Sequence, residues 1–182
     1  MRYGLQSQMS NRVMDDISEA RLKDVHPILA GKIREMANLL GQQGITIRVI
    51  QGLRTWEEQA RLYDQGRNPP SGEPVVTDAP PGFSYHNFGL AVDVVPMMPL
   101  GPDWNVSHPV WGQIVQMGRS VGLEAGATWR TFKDYPHFQL TGNLPLSPTQ
   151  EVRAAFASGG VAAVWYLTGY GKPLENSQEQ DV

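Results

Sequence analysis

Cysteine is absent from the chain. That excludes disulfides and thiolate metal sites, so any bound metal must take histidine, aspartate or glutamate. Long apolar runs are missing too. The longest candidate, "VVPMMPL", is broken by prolines and falls far short of the ~20 residues of a membrane span. The opening stretch "MRYGLQSQMSNRVMDDISEARLK" has no apolar core of signal-peptide length. These absences predict a soluble chain made in the cytoplasm, without a recognisable export signal and without membrane insertion. There is no basic surplus either: 15 Lys and Arg against 18 Asp and Glu give a formal charge of −3, which argues against nucleic-acid binding. Histidine is scarce, with four copies at His26, His86, His108 and His137.

What is present suits one globular domain with a short appendage. The 182 residues are 41 % hydrophobic, enough for a core at this length. "HPILAGKIREMANLLGQQG" predicts a helix, with Pro27 in its first turn and Leu29, Ile33, Met36 and Leu40 at helical spacing. "ITIRVIQG" follows as a strand, and "TWEEQARLYDQG" as a second helix in which Thr55 and Glu58 have capping-box spacing. The stretch 67–83 holds five prolines and two glycines and predicts a loop, with a short strand at "PVVT". A strand at 90–95, a third helix in "SHPVWGQIVQMGRSVG" and a last strand in "TFKDYPHFQL" complete the reading. In that last strand His137 and Gln139 share one face. The fold class expected is α+β, a small mainly antiparallel sheet flanked by helices, with a helical C-terminal extension. The domain division is 1–145 for the main domain and 146–182 for the extension. Ser147 and Pro148 are the expected helix start there, "VAAVWYLTGYG" packs back on the domain, and "ENSQEQDV" is a disordered tail. Residues 1–24 are read as polar, and ragged at the start.

The stretch "SYHNFGLAVD" raises a chemical question. Asp93 lies inside the apolar run "LAVDVV", and a bare carboxylate there needs a cation or a proton. Gly89 lets the chain fold back so that His86 approaches Asp93, and His137 follows Asp134 by three residues. Two imidazoles and a carboxylate with an open fourth position form a ligand set used by catalytic zinc. A buried histidine hydrogen-bonded to an aspartate is the simpler alternative. His26 and His108 each precede a proline at a helix start, which suits a structural role.

"SYHNFGLAVD" fits S-x-H-x-x-G-x-A-x-D and "DYPHF" fits D-x-x-H, the motifs of the zinc-dependent D-Ala-D-Ala carboxypeptidase/L-alanyl-D-glutamate peptidase superfamily. The chain most resembles the L-alanyl-D-glutamate endopeptidase branch, which includes phage endolysins. The resemblance runs through "RLKDVHPIL", "IQGLRTWEEQARLYDQGR" and "PVVTDAPPGFSYHNFGLAVDVVP" to "DYPHFQL", residues 20–140. It implies one zinc per chain held by His86, Asp93 and His137, with Asp134 as catalytic acid/base and Arg54 as oxyanion-stabilising arginine. It implies peptidoglycan stem peptides as substrate, cut between L-Ala and D-Glu, and action on the cell wall after release through a holin or by lysis. Ser84, Gln59 and Trp129 are the expected substrate contacts, with Tyr63 one turn from Gln59 as a further cleft or core residue. For Arg54 the alternative is a surface ion pair with Glu57 or Glu58, and for Ser84 a turn bond to its own backbone. One departure is "AGATW", where Thr128 stands in place of the acidic residue common before the family's tryptophan. Two rivals accompany this reading: a D,D- or L,D-carboxypeptidase on the same fold, and a non-catalytic zinc-bearing binding module. Monomer is the default state.

Overall fold

The computed structural model describes residues 14–67 and 72–170. Their elements run α1 (Asp16–Leu22), α2 (Pro27–Gly41), β1 (Thr46–Gln51), α3 (Trp56–Asp64), a short 3-10 helix (Tyr85–Phe88), β2 (Ala91–Met98), β3 (Gly101–Pro102), α4 (Pro109–Ser120), β4 (Glu124–Ala125), a second 3-10 turn (Gly126–Thr128), β5 (His137–Gln139) and α5 (Gln150–Leu167). The fold is α+β, as the pattern implied. The five strands form one antiparallel sheet in the order β1-β2-β5-β4, with β3 added to the end of β2.

Local chemistry explains most boundaries. Thr55 and Glu58 form the reciprocal capping box that starts α3. His26 and His108 each cap a helix through the side chain and precede a proline in the first turn, which is the structural role their sequence context suggested. Four details differ from the sequence reading. Residues 74–77, expected as a short strand, form no strand. Residues 16–22, read only as part of a polar segment with no element assigned, form α1, started by the Asp15 carboxylate on the Ser18 N–H and pinned by the Ser18 hydroxyl on Val49 N. The cap of α5 is Thr149, two residues beyond Ser147. That helix also breaks at Gly159 and Gly160. The tail "ENSQEQDV" lies outside the described residues.

Two apolar clusters flank the sheet. The larger packs α2 and α4 against Val92, Val94 and Phe138. Gly118 on α4 is needed there, because a Cβ on it would stand 2.1 Å from the Phe138 ring. The smaller cluster joins Tyr85, Phe88, Leu90 and Ala91 to Val152 and Val164 of α5, with Trp56, Phe156 and Trp165 around it. The helix with His86 is therefore held from behind by the C-terminal helix, and the Trp165 indole N–H donates to the Phe88 carbonyl at 2.8 Å.

Candidate metal centre

β2 and β5 bring two of the key side chains together by register. Asp93 lies directly opposite His137. The backbone bonds Val94 N–H to Pro136 C=O and Leu140 N–H to Leu90 C=O place hydrogen-bonded pairs at 94/136 and 90/140. Alternation then makes 93/137 a non-hydrogen-bonded pair, the kind in which facing side chains approach most closely. His86 arrives from the 3-10 helix, whose Ser84 hydroxyl accepts from His86 N and whose Gly89 ends it in the left-handed region at φ 64°. A bulge in β1 beside Asp93 turns the chain so that the Gly52 carbonyl meets His86. Gly52 has no room for a side chain, since a Cβ would meet the Arg21 carbonyl at 2.3 Å.

The three side chains converge. His86 Nε2 lies 3.2 Å from Asp93 Oδ1 and 3.2 Å from His137 Nδ1, and His137 Nδ1 lies 3.5 Å from Asp93 Oδ1. Ligands about 2.0–2.1 Å from a tetrahedral ion stand about 3.3–3.4 Å apart, so this triangle has the dimensions of one face of such a site. The far side of each ring sets its tautomer. His86 Nδ1 donates to the Gly52 carbonyl at 2.9 Å, which leaves a lone pair on Nε2. His137 Nε2 faces Gln139 Oε1 at 2.9 Å, which leaves a lone pair on Nδ1. Two lone pairs and a carboxylate oxygen thus point at one place, an arrangement that a cation would satisfy. The donor set fits a metal, and these three residues form a metal-compatible group among those described.

The electrostatics agree with the geometry. Burial alone would raise the Asp93 carboxyl, but His86 and His137 hold it well below the usual range. Burial also works to lower His137, yet Asp93 against it, with Asp134 behind, raises it. His86 is lowered, because burial outweighs Asp93. Asp134 is pushed up to about 6, first by burial and then by the negative charge of Asp93. Close packing of Asp134 on His137 requires Gly126, whose absent Cβ would lie 2.6 Å from the Asp134 carbonyl and 3.0 Å from His137 Cβ.

Arg54 is buried rather than paired with Glu57 or Glu58 at the surface. Its Nη1 donates to Gln59 Oε1 at 2.9 Å and its Nη2 lies 3.4 Å from Asp93 Oδ2, while Nε is buried without an acceptor among the described residues. Gln59 is itself fully buried, and its amide N–H donates to the Ala79 carbonyl at 2.7 Å. It sits behind Arg54 and does not line the cleft. Tyr63 is half-buried outside the cleft lining, with the Arg67 guanidinium over its ring at 4.1 Å.

His86, Asp93, His137, Arg54, Asp134, Ser84 and Trp129 all line one cleft of about 950 Å³. Trp129 packs on His137 with ring centroids 4.9 Å apart. Thr128, the departure from the family pattern, also faces the cleft. Its hydroxyl donates to the Ala125 carbonyl at 2.8 Å. Sequence reasoning assigned nothing to Asn87, Gly126 or Gln139. Asn87 is buried and ties the carbonyls of Arg54 and Thr55 to the 3-10 helix. The alternation in "HFQ" had already put Gln139 on His137's face, and that signal was sufficient to find it.

The comparisons with known proteins bear on this site. A family model described as D-alanyl-D-alanine carboxypeptidase matches residues 77–140, which contain all three converging side chains and Asp134. The peptidoglycan L-alanyl-D-glutamate endopeptidase CwlK of Bacillus subtilis is 33% identical over 128 residues, 66% of this chain and 75% of that protein. The chain belongs to the D-Ala-D-Ala carboxypeptidase/L-alanyl-D-glutamate peptidase superfamily. An L-alanyl-D-glutamate peptidase from a Listeria phage is 28% identical over 108 residues, 59% of this chain and 34% of that protein. Among solved structures, the Serratia marcescens L-Ala D-Glu endopeptidase ChiX matches with a TM-score of 0.51 and 33% identity, covering 69% of this chain and 87% of that one. This superfamily member is thus a peptidase by relationship, with its kin on the endopeptidase side. No helix of the described residues is long and apolar enough to cross a membrane.

Proposed function

We propose that this chain is a zinc-dependent endopeptidase that hydrolyses the L-Ala–D-Glu bond of peptidoglycan stem peptides. The observation that carries the proposal is the convergence of His86, Asp93 and His137, with both ring tautomers fixed from behind, beside an aspartate of raised pKa. His86, Asp93 and His137 hold the ion. When bound, zinc supplies Lewis acidity toward the peptide carbonyl and toward water. Asp134 takes the proton of the attacking water and returns it to the leaving amine, a role suited to a carboxylate that faces the same cleft beside the three converging side chains. Arg54 offers a donor to the developing oxyanion, a reading supported by its place on the cleft lining beside Asp93. Gln59 holds Arg54 in place. Ser84 and Trp129 line the path of the substrate.

The match to a model described as a carboxypeptidase keeps a D,D- or L,D-carboxypeptidase as the second reading. Such an enzyme needs a cation for the terminal carboxylate. Among the described residues the cations lining the cleft are Arg54, already engaged by Asp93 and Gln59, and Arg130. Arg130 is left to meet that need, and what favours cutting within a chain is the likeness to the two L-alanyl-D-glutamate endopeptidases. The test is digestion of intact muropeptides followed by mass analysis, alongside elemental analysis of the purified protein. New N-terminal D-Glu and one zinc per chain are expected. Release of terminal D-Ala alone would promote the carboxypeptidase. Bound zinc with unchanged muropeptides would leave a binding module. Access to the wall after cell lysis or holin opening accords with the phage relative.

A further inference from the structure

Gln139 is buried and lies between a ring nitrogen and a backbone carbonyl. Its Nε2 donates to the Leu146 carbonyl at 2.9 Å, and its Oε1 faces His137 Nε2 at 2.9 Å. The two ends of an amide have nearly the same shape, so packing alone does not orient it. Hydrogen bonding does, because a carbonyl only accepts. The Leu146 carbonyl therefore takes the NH2 end, the oxygen end must face His137, and His137 must carry its proton on Nε2. The Leu146 carbonyl is in turn held in place, since the adjoining Pro145 carbonyl accepts the Tyr85 hydroxyl at 2.6 Å. Tyr85 neighbours His86, so the strap at 145–146 is fastened beside one converging histidine and orients the other.

We infer that Gln139 is a positioning residue: under the orientation imposed by the Leu146 carbonyl, its amide oxygen fixes the His137 tautomer and so presents Nδ1 to the metal. This rests on the zinc reading of the site. The assignment extends the working centre past residue 145, into the segment that leads to α5. It also separates Gln139 from an ordinary buried glutamine, whose replacement changes stability but not the basicity of a neighbour.

The experiment compares wild type, Gln139→Met, Gln139→Asn and Gln139→Glu in the full chain. Zinc affinity is measured by competition with a chromophoric chelator, and the His137 ring N–H is followed by 1H–15N NMR in the zinc-loaded protein. Gln139→Met keeps the volume and removes the acceptor. Gln139→Asn keeps the amide but is a methylene too short, and serves if Gln139→Met does not fold. Both should bind zinc roughly 10–100-fold more weakly, the usual scale for losing an outer partner of a metal ligand, and the ring N–H should exchange rapidly with water. Gln139→Glu keeps an acceptor for His137, so its zinc affinity should equal or exceed that of wild type with the ring N–H still protected. A folded Gln139→Met or Gln139→Asn with wild-type affinity and a protected ring N–H would overturn the inference, as would loss of both in folded Gln139→Glu. Failure of wild type itself to bind zinc would sink the metal reading instead.

Discussion

Asp134 is the residue whose chemistry is most sensitive to its surroundings. It was recognisable from "DYPHF", but its tuning was not, because burial and the Asp93 charge come from elements distant in the chain. A carboxyl raised to about 6 is protonated below that pH and acts as a base above it. The profile of kcat/KM should therefore rise with pH along an acid limb. A dication beside Asp134 favours the ionised form, so in the zinc-loaded enzyme that limb should lie below pH 6. Asp134→Asn should keep zinc, lose the limb, and lower turnover by about 10²-fold or more. Loss of zinc in that variant would instead make Asp134 a ligand. Arg54→Ala tests a different group: retained zinc and a fall in turnover of about 10²–10³-fold are expected if its donors reach the oxyanion. For Arg54 the sequence left a surface ion pair open, and only the tertiary contact with Asp93 and Gln59 removes that option.

At the scale of elements, periodicity and caps made α2, α3, α4 and the strands β1 and β2 legible. β3 and β4 were not, since two-residue strands carry no period and exist only through their partners. α1 was missed for a related reason: its polar face disguises a short helix whose stability comes from docking on β1. Helix packing yields a direct test at Gly118. Gly118→Ala forces a methyl into the Phe138 ring and should destabilise by about 1–3 kcal/mol, read as a fall in Tm of about 2–4 °C per kcal/mol. The start of α2 predicts a pH effect. Burial lowers the pKa of His26, whose Nδ1 accepts the Ile28 N–H at 3.1 Å. The unfolded chain then binds the proton more readily than the folded one. This contribution is fully present above the ordinary histidine value and is lost as pH falls through 6.5 toward the lower folded value. His26→Asn, which caps without titrating there, should flatten the stability profile in that window, and urea melts at several pH values would read it.

On the scale of the whole molecule, the division at residue 145 describes composition better than it describes packing. α5 supplies Val152, Phe156, Val164 and Trp165 to the cluster behind Tyr85 and Phe88. We therefore expect one cooperative unfolding transition by calorimetry, shifted upward by zinc because the ion binds only the folded arrangement. Two resolved transitions would restore the extension as an independent unit. Trp165→Phe, which removes the donor to the Phe88 carbonyl, should lower stability by about 1–3 kcal/mol, the scale for leaving a buried acceptor unmatched. The sequence resemblance located the converging residues within 20–140, but it stopped short of the strap at 145–146 that bonds to Tyr85 and Gln139 beside them.

The Asp93–His137 pairing has a consequence for how the chain assembles. Side chains alternate along a strand, so slipping β5 by one residue against β2 would turn His137 away from Asp93. A three-residue strand such as β5 has few contacts of its own to reject that error. An ion held by both residues at once would reject it. Metal binding at this group would thus act as a proofreader of strand alignment, and a misthreaded chain would carry a nearly normal sheet while remaining blind to zinc.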